Sequence, residues 1–240
     1  MDTIKFEDKE NIKMIAHRGV SGLEMENTCP AFLVAAVKSY YGIETDVHVT
    51  KDGKYILFHD DTLTRILGVD KRVEDCTFDE LRAYRTTDLD GVTKRADLFL
   101  PSLEEYISIC KKYGKVSVLE FKNRIEEKHI CRMVEIIKAM GWFDNTTFIS
   151  FFGENLVALK KNYADATAQF LTEYPTEENL RFMIDNGLDA DLRMQCLTKE
   201  YIDKVHSAGR KVNCWTVNTL ENAKKAKELG VDFITTNILE

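Results

Sequence analysis

The segment GIETDVHVTKDGKYILFHD (residues 42–60) contains two apolar runs separated by the four residues KDGK. GIETDVHVT (42–50) and YILFHD (55–60) both read as strands, rich in β-branched and aromatic residues. Parallel neighbours need a crossover of about a dozen residues or more, so KDGK cannot join these two in parallel. Asp-Gly between apolar runs signals a hairpin instead. YILFHD is therefore expected to return antiparallel, carrying His59 back over the end of the preceding strand.

Further strands are expected at MIAHRG (14–19), KVSVLEFK (115–122), TTFISF (146–151), TAQFLT (167–172), LDADLR (188–193), KVNCWTVN (211–218) and VDFITTN (231–237). Helix-period stretches such as SLEEYISICKKY and TKEYIDKVHSAG lie between most of them. Ser102, Thr176, Thr198 and Thr219 stand where helices start, and Gly114, Gly141, Gly187, Gly209 and Gly230 stand where they stop. With the hairpin return set aside, eight strands alternate with helices. The expected fold is α/β, a TIM-type (β/α)8 barrel with a hairpin and a small insertion after the second strand. Residues 61–101 supply that insertion: a polar stretch with one short helical piece, TFDELRAY (77–84), and no βα unit. It is expected to form a small cap near the mouth, the alternative being a surface excursion with no part in the site.

Composition bounds the rest. A chain of 240 residues, 44% hydrophobic and 30% charged, suits one barrel domain spanning 1–240. A net charge of −7 argues against nucleic acid as a partner. Six scattered cysteines without a CxxC pair read as reduced thiols, not as a disulfide framework or zinc site. The N-terminus has no apolar signal-peptide core and no stretch reaches transmembrane length, so a soluble cytoplasmic protein is expected.

Active sites of such barrels form at the C-terminal ends of the strands. That rule selects His17 and Arg18 on the first strand, Glu44 and Asp46 on the second, and His59 at the end of the hairpin. It also selects Glu120 and Lys122, two apart and so on one face, and Trp215. Carboxylates on one face of an apolar strand are costly to bury without a counter-charge. Glu44, Asp46 and Glu120 together offer oxygen ligands suited to Mg²⁺, Ca²⁺ or Mn²⁺ more than to zinc. Arg18 and Lys122 suit phosphate, and two histidines suit general base and acid. Singly, each residue has a plainer role: His17 as a hydrogen-bonded structural histidine, Glu44 and Asp46 paired with Arg18 or Lys122 without metal, Trp215 as barrel filling. Their joint placement at strand ends favours the chemical reading. His48, aimed by the pleat with Asp46, is assigned no role.

AHRGVSGLEMENTCPAF (16–32), GIETDVHVTKDGKYILFHDDTLTR (42–65), LEFK (119–122) and CWTVN (214–218), in this order, closely resemble glycerophosphodiester phosphodiesterases. The resemblance implies His17 and His59 as catalytic residues, and Glu44, Asp46 and Glu120 as ligands of one divalent ion, Mg²⁺ or Ca²⁺, with Mn²⁺ a third choice. It implies Arg18 and Lys122 as phosphate contacts, Glu26 and Asn27 at the rim of the site, and Trp215 beside a glycerol pocket. Met25 departs from the family's usual proline. The implied reaction is hydrolysis of a glycerophosphodiester to sn-glycerol 3-phosphate and an alcohol, with water or the glycerol 2-hydroxyl as nucleophile. A phospholipase D-type activity on lysophospholipids would require an apolar slot, and Ile66, Leu67, Val69 and Phe99 are too dispersed to form one. A non-catalytic phosphate-binding barrel would be expected to lack a histidine or a carboxylate of the set.

Overall fold

A computed structural model describes residues 2–240. In chain order the elements are β1 (Lys13–Ala16), α1 (Cys29–Val37), β2 (Gly42–Val49), β3 (Tyr55–Leu57), α2 (Thr64–Leu67), α3 (Phe78–Ala83), α4 (Leu103–Tyr113), β4 (Val116–Phe121) and α5 (Glu127–Ala139). They continue with β5 (Thr146–Ser150), α6 (Gly153–Asn162), β6 (Thr167–Thr172), α7 (Glu177–Asp185), β7 (Asp189–Arg193), α8 (Lys199–Ser207), β8 (Val212–Trp215), α9 (Leu220–Leu229) and β9 (Phe233–Thr236). The sheet runs β1-β9-β8-β7-β6-β5-β4-β2, and β1 pairs with β2 to close an eight-stranded parallel barrel. β3 pairs antiparallel with β2, in the register Val47↔Leu57 and Val49↔Tyr55, and bridges Ser102 through Ile56 on its other side. KDGK is the hairpin turn: Thr50 N donates to Lys54 O at 2.9 Å, and Gly53 takes φ +73°, a conformation a Cβ disfavours.

Helix starts follow the capping chemistry of the sequence. Thr28, Thr77, Ser102, Thr176, Thr198 and Thr219 each accept a hydrogen bond from a backbone N–H of the first turn, and Ser102–Glu105 closes a full capping box. Apolar side chains facing outward from the strands pack beneath the helices in the main core. Inside the barrel, Ile15, Val118, Ile149, Leu171 and Phe233 fill a separate layer below the mouth. Tyr106 of α4 fastens the outer layer to the sheet: its hydroxyl donates to Ile43 O at 2.6 Å and accepts from Val118 N at 2.9 Å, bridging β2 and β4.

The insertion has more structure than its polar composition suggests. Leu63, Val73, Cys76, Leu81 and Leu100 bury themselves against Ile56 and Phe58 as a satellite core, with Ile66, Leu67 and Val69 packed on it. Their spacing along the chain follows no period, which is why periodicity does not reveal them. All six cysteines are free thiols. Among the described residues, no helix is long and apolar enough to cross a membrane.

Tyr106→Phe keeps the ring but removes the bridge between β2 and β4, leaving the buried Val118 N–H without its partner. A loss of about 1–3 kcal/mol is expected, read as a lower thermal midpoint by differential scanning calorimetry. An unchanged midpoint would show the bridge to be inert.

Candidate active site

The site grows from the register of β2 and β4. Asp46 stands beside Glu120 and Glu44 beside Val118, and the two-residue period turns Glu44, Asp46, Glu120 and Lys122 toward the barrel interior. Oxygen atoms of Glu44, Asp46 and Glu120 all lie within 4.8 Å of one another, and each residue is at least nine-tenths buried. Lys122 Nζ lies 2.8 Å from Glu120 Oε1 and 3.4 Å from Asp46 Oδ1.

The loop after β1 frames this cluster from the other side. Gly19 is obligatory there, with φ +76° and space for a Cβ only 2.6 Å from the Ala31 backbone. Its neighbour Arg18 donates a backbone N–H to Glu44 Oε2 at 2.8 Å, while its side chain donates to Glu26 Oε1 at 3.0 Å and places Nε 3.6 Å from Asp46 Oδ2. Asn27 donates to Asp46 Oδ2 at 2.8 Å and accepts from Thr45 Oγ1 at 2.7 Å. The side chains of Glu26 and Asn27 thus engage Arg18 and Asp46. They do not line the pocket that holds His17, but share a smaller one with His59.

Each histidine is held by its own partner. His17 Nδ1 lies 2.7 Å from Asn237 Oδ1, and His59 Nδ1 lies 2.6 Å from Asp60 Oδ1. With Nδ1–H donating in both, Nε2 of each ring is left as the acceptor. Burial and the Arg18 charge lower the His17 pKa to about 4. Burial also lowers that of His59, although Asp46 and Asp60 oppose the shift. His17, Arg18, Glu44, Glu120, His59 and Trp215 share one open pocket of about 380 Å³, open solvent at its mouth included. The Trp215 indole meets Phe151 edge-to-face at 5.5 Å. His48 lies elsewhere, fully buried beneath the insertion with Nδ1 3.6 Å from Glu74 Oε1.

The electrostatics show what the cluster lacks. Burial, with Asp46 and Glu120 nearby, pushes the Glu44 carboxyl well above its ordinary range. Burial likewise raises Glu120 to about 7, against the pull of Lys122. Asp46 would also rise on burial, but Lys122 and Arg18 hold it below the usual carboxylate range. Asp46 Oδ1 nonetheless makes no hydrogen bond. When all are ionised, three carboxylates face two cations, an excess of one negative charge in a buried site. An all-oxygen donor set with an unbonded carboxylate oxygen and unbalanced negative charge fits a hard divalent cation. The cluster is able to hold one.

Residues 17–240 match the sequence profile of the Glycerophosphoryl diester phosphodiesterase family. The chain belongs to that family. It is a phosphoric diester hydrolase by class. A glycerophosphodiester phosphodiesterase of Bacillus altitudinis is 28% identical over 235 residues, covering 94% of either chain. The crystal structure of a putative glycerophosphoryl diester phosphodiesterase from Silicibacter pomeroyi superposes with TM-score 0.88 at 22% identity, over 99% of this chain and 91% of that one. An Oleispira antarctica phosphodiesterase, solved with the product sn-glycerol-3-phosphate, superposes at 0.85 with 24% identity, over 94% and 92%. At these identities the two structures establish the shared fold.

Three supporting groups stand outside the set selected from the strand ends: Asn237, Asp60 and Asp191. Asp191 of β7 lines the pocket, 1% exposed, and its Oδ1 makes no hydrogen bond. Burial raises its pKa to about 8. The alternation in LDADLR could have placed it inward, but the flanking acidic residues make it look like part of a solvated face.

Two pH effects follow. Asp191 titrates higher folded than unfolded, so its contribution to stability is full at acid pH and is lost as pH rises through its folded pKa of about 8. Asp191→Asn should therefore raise the melting midpoint relative to the parent more at alkaline than at acid pH, and an equal shift at both would contradict the buried-acid assignment. In the metal-free cluster, Glu120 and Glu44 hold protons to unusually high pH, and a bound cation must displace them. Calorimetric Mn²⁺ titrations should show affinity falling as pH drops below about 7, up to about tenfold per unit for each proton displaced. Affinity independent of pH, with no proton release, would refute it.

Proposed function

We propose that this protein hydrolyses glycerophosphodiesters to sn-glycerol 3-phosphate and an alcohol, with one divalent ion and a pair of histidines. The observation that carries the reading is the meeting of His17, His59 and Arg18 with the buried Glu44–Asp46–Glu120 cluster in one pocket. The named activity of the Bacillus altitudinis relative and the product held by the Oleispira antarctica structure support it.

Glu44, Asp46 and Glu120 would hold Mg²⁺, Ca²⁺ or Mn²⁺, and such an ion supplies Lewis-acid polarisation of a phosphoryl oxygen and offsets developing negative charge. Arg18, its guanidinium already aligned by Glu26, grips a phosphate oxygen. Lys122 adds a second positive charge behind the carboxylates. His17 is neutral near physiological pH and, with Nδ1 committed to Asn237, takes the nucleophile's proton at Nε2. His59 acts in its doubly protonated form, which the Asp60 carboxylate favours against the lowering by burial; with Nδ1–H held by Asp60, that form delivers its Nε2 proton to the leaving alcohol. The nucleophile is water or the glycerol 2-hydroxyl, and the second route would release a cyclic phosphate first. Trp215 and Phe151 present an aromatic wall for the carbon skeleton of glycerol.

The apolar residues of the insertion leave only a narrow pocket of about 240 Å³, where Ile66 and Phe99 meet Phe58 and Leu100 beside His59. Ile66, Leu67 and Val69 pack on the satellite core, and Phe99 lies under the Arg82 guanidinium at 4.2 Å. A small water-soluble diester fits this mouth better than a lysolipid. The six free thiols suit a reducing compartment such as the cytoplasm.

His17→Ala and His59→Ala should each lower turnover of glycerophosphocholine by about 10²–10⁴, the usual worth of a positioned acid or base. Release of glycerol 3-phosphate, followed with glycerol-3-phosphate dehydrogenase, measures it. Near-parental turnover by either variant would remove that histidine from the mechanism.

A further inference from the structure

The one-turn helix α2, at the start of the insertion, presents a guanidinium that reaches two separate loops of the site. Arg65 Nε and Nη2 donate to Asp60 Oδ2 and Oδ1 at 2.6 and 2.9 Å. Its Nη1 and Nη2 donate to Glu26 Oε2 and Oε1 at 3.1 and 2.7 Å. Each carboxylate then continues to a group in the pocket. Asp60 Oδ1 lies 2.6 Å from His59 Nδ1, and Glu26 Oε1 also accepts from Arg18 Nη1 at 3.0 Å.

We propose that Arg65 is a positioning residue that sets the orientation of His59 through Asp60 and of Arg18 through Glu26. It does not line the main pocket, and it acts on the reaction only through these two carboxylates. This role rests on the acid–base assignment proposed above. The two loops it joins, after β3 and after β1, meet through a planar fork whose donors serve both carboxylates at once. Lysine, a point charge on a flexible stem, cannot reproduce that geometry.

Holding the insertion together is not what this side chain is needed for. Leu63, Val73, Leu81 and Leu100 are buried in a satellite core, on which Ile66 and Leu67 of α2 itself pack. The Arg65 side chain is 48% exposed, so its ion pairs contribute little to folding stability. What the fork supplies is angular precision at His59 and Arg18, where small displacements cost rate. The insertion is thus part of the catalytic apparatus, contributing a brace and no reacting group.

The test compares Arg65→Ala, Arg65→Lys, Asp60→Asn and the Arg65→Ala/Asp60→Asn double variant on glycerophosphocholine, together with ¹⁵N NMR of the His59 ring. Arg65→Ala should lower kcat by at least about tenfold, with KM little changed and a melting midpoint near that of the parent. Arg65→Lys should resemble it, and Arg65→Ala should cost less in the Asp60→Asn background, because the Asp60 path is already broken there and only the Glu26 path is left to lose. The ring nitrogens should report a single Nδ1–H tautomer in the parent and a mixture in Arg65→Ala. Unchanged kcat, restoration by lysine, or full additivity with Asp60→Asn would each overturn the role. A parent protein that turns over no glycerophosphodiester would defeat the functional reading, and the brace would then be judged by the ring nitrogens alone: identical tautomers in parent and Arg65→Ala would overturn it.

Discussion

Repulsion among three buried carboxylates is the constraint around which the mouth of this barrel is organised. Glu44, Asp46 and Glu120 bring oxygen atoms within 4.8 Å of one another in a site closed to bulk water. Such a cluster is tolerable only if the scaffold supplies donors and charges at fixed positions. The Arg18 backbone N–H fixes Glu44, Asn27 fixes one oxygen of Asp46, and Lys122 bridges Glu120 and Asp46. Even so, Asp46 Oδ1 makes no hydrogen bond and Glu120 titrates near 7. Fully ionised, the cluster would carry one negative charge more than Arg18 and Lys122 balance, and the raised Glu44 and Glu120 carboxyls hold protons that a bound cation would displace.

The remaining parts serve that concentration. The β2–β4 register sets Asp46 beside Glu120, and the Tyr106 hydroxyl ties the same two strands together from behind. The tight turn at Gly19 lets Arg18 close over the cluster. The short hairpin returns His59 to the pocket that His17 enters from β1, so two imidazoles and the carboxylates Glu44 and Glu120 share one space.

Much of this was legible in the residues. Alternation and connection length separated the eight barrel strands from the hairpin return, because KDGK cannot span a parallel crossover. The period of two placed Glu44, Asp46, Glu120 and Lys122 on inward faces. What escaped was whatever depends on loops meeting. Asp60 against His59, Asn237 against His17 and Arg65 between Asp60 and Glu26 join loop or strand-end residues by contacts that no periodicity encodes. The satellite core was hidden for the same reason: Leu63, Val73, Leu81 and Leu100 lie on irregular backbone or on very short helices. His48 shows the opposite limit, since the pleat that aims it with Asp46 carries it beneath the insertion, toward Glu74.

The most direct test of the proposed cation dependence is turnover of glycerophosphocholine by metal-stripped protein, with Mg²⁺, Ca²⁺ and Mn²⁺ restored separately. Coupling to glycerol-3-phosphate dehydrogenase identifies the bond cleaved. Stripped protein should release no glycerol 3-phosphate, and at least one of the three ions should restore release. Full activity without metal, or silence with every ion, would contradict the reading of Glu44, Asp46 and Glu120 as the centre of the reaction.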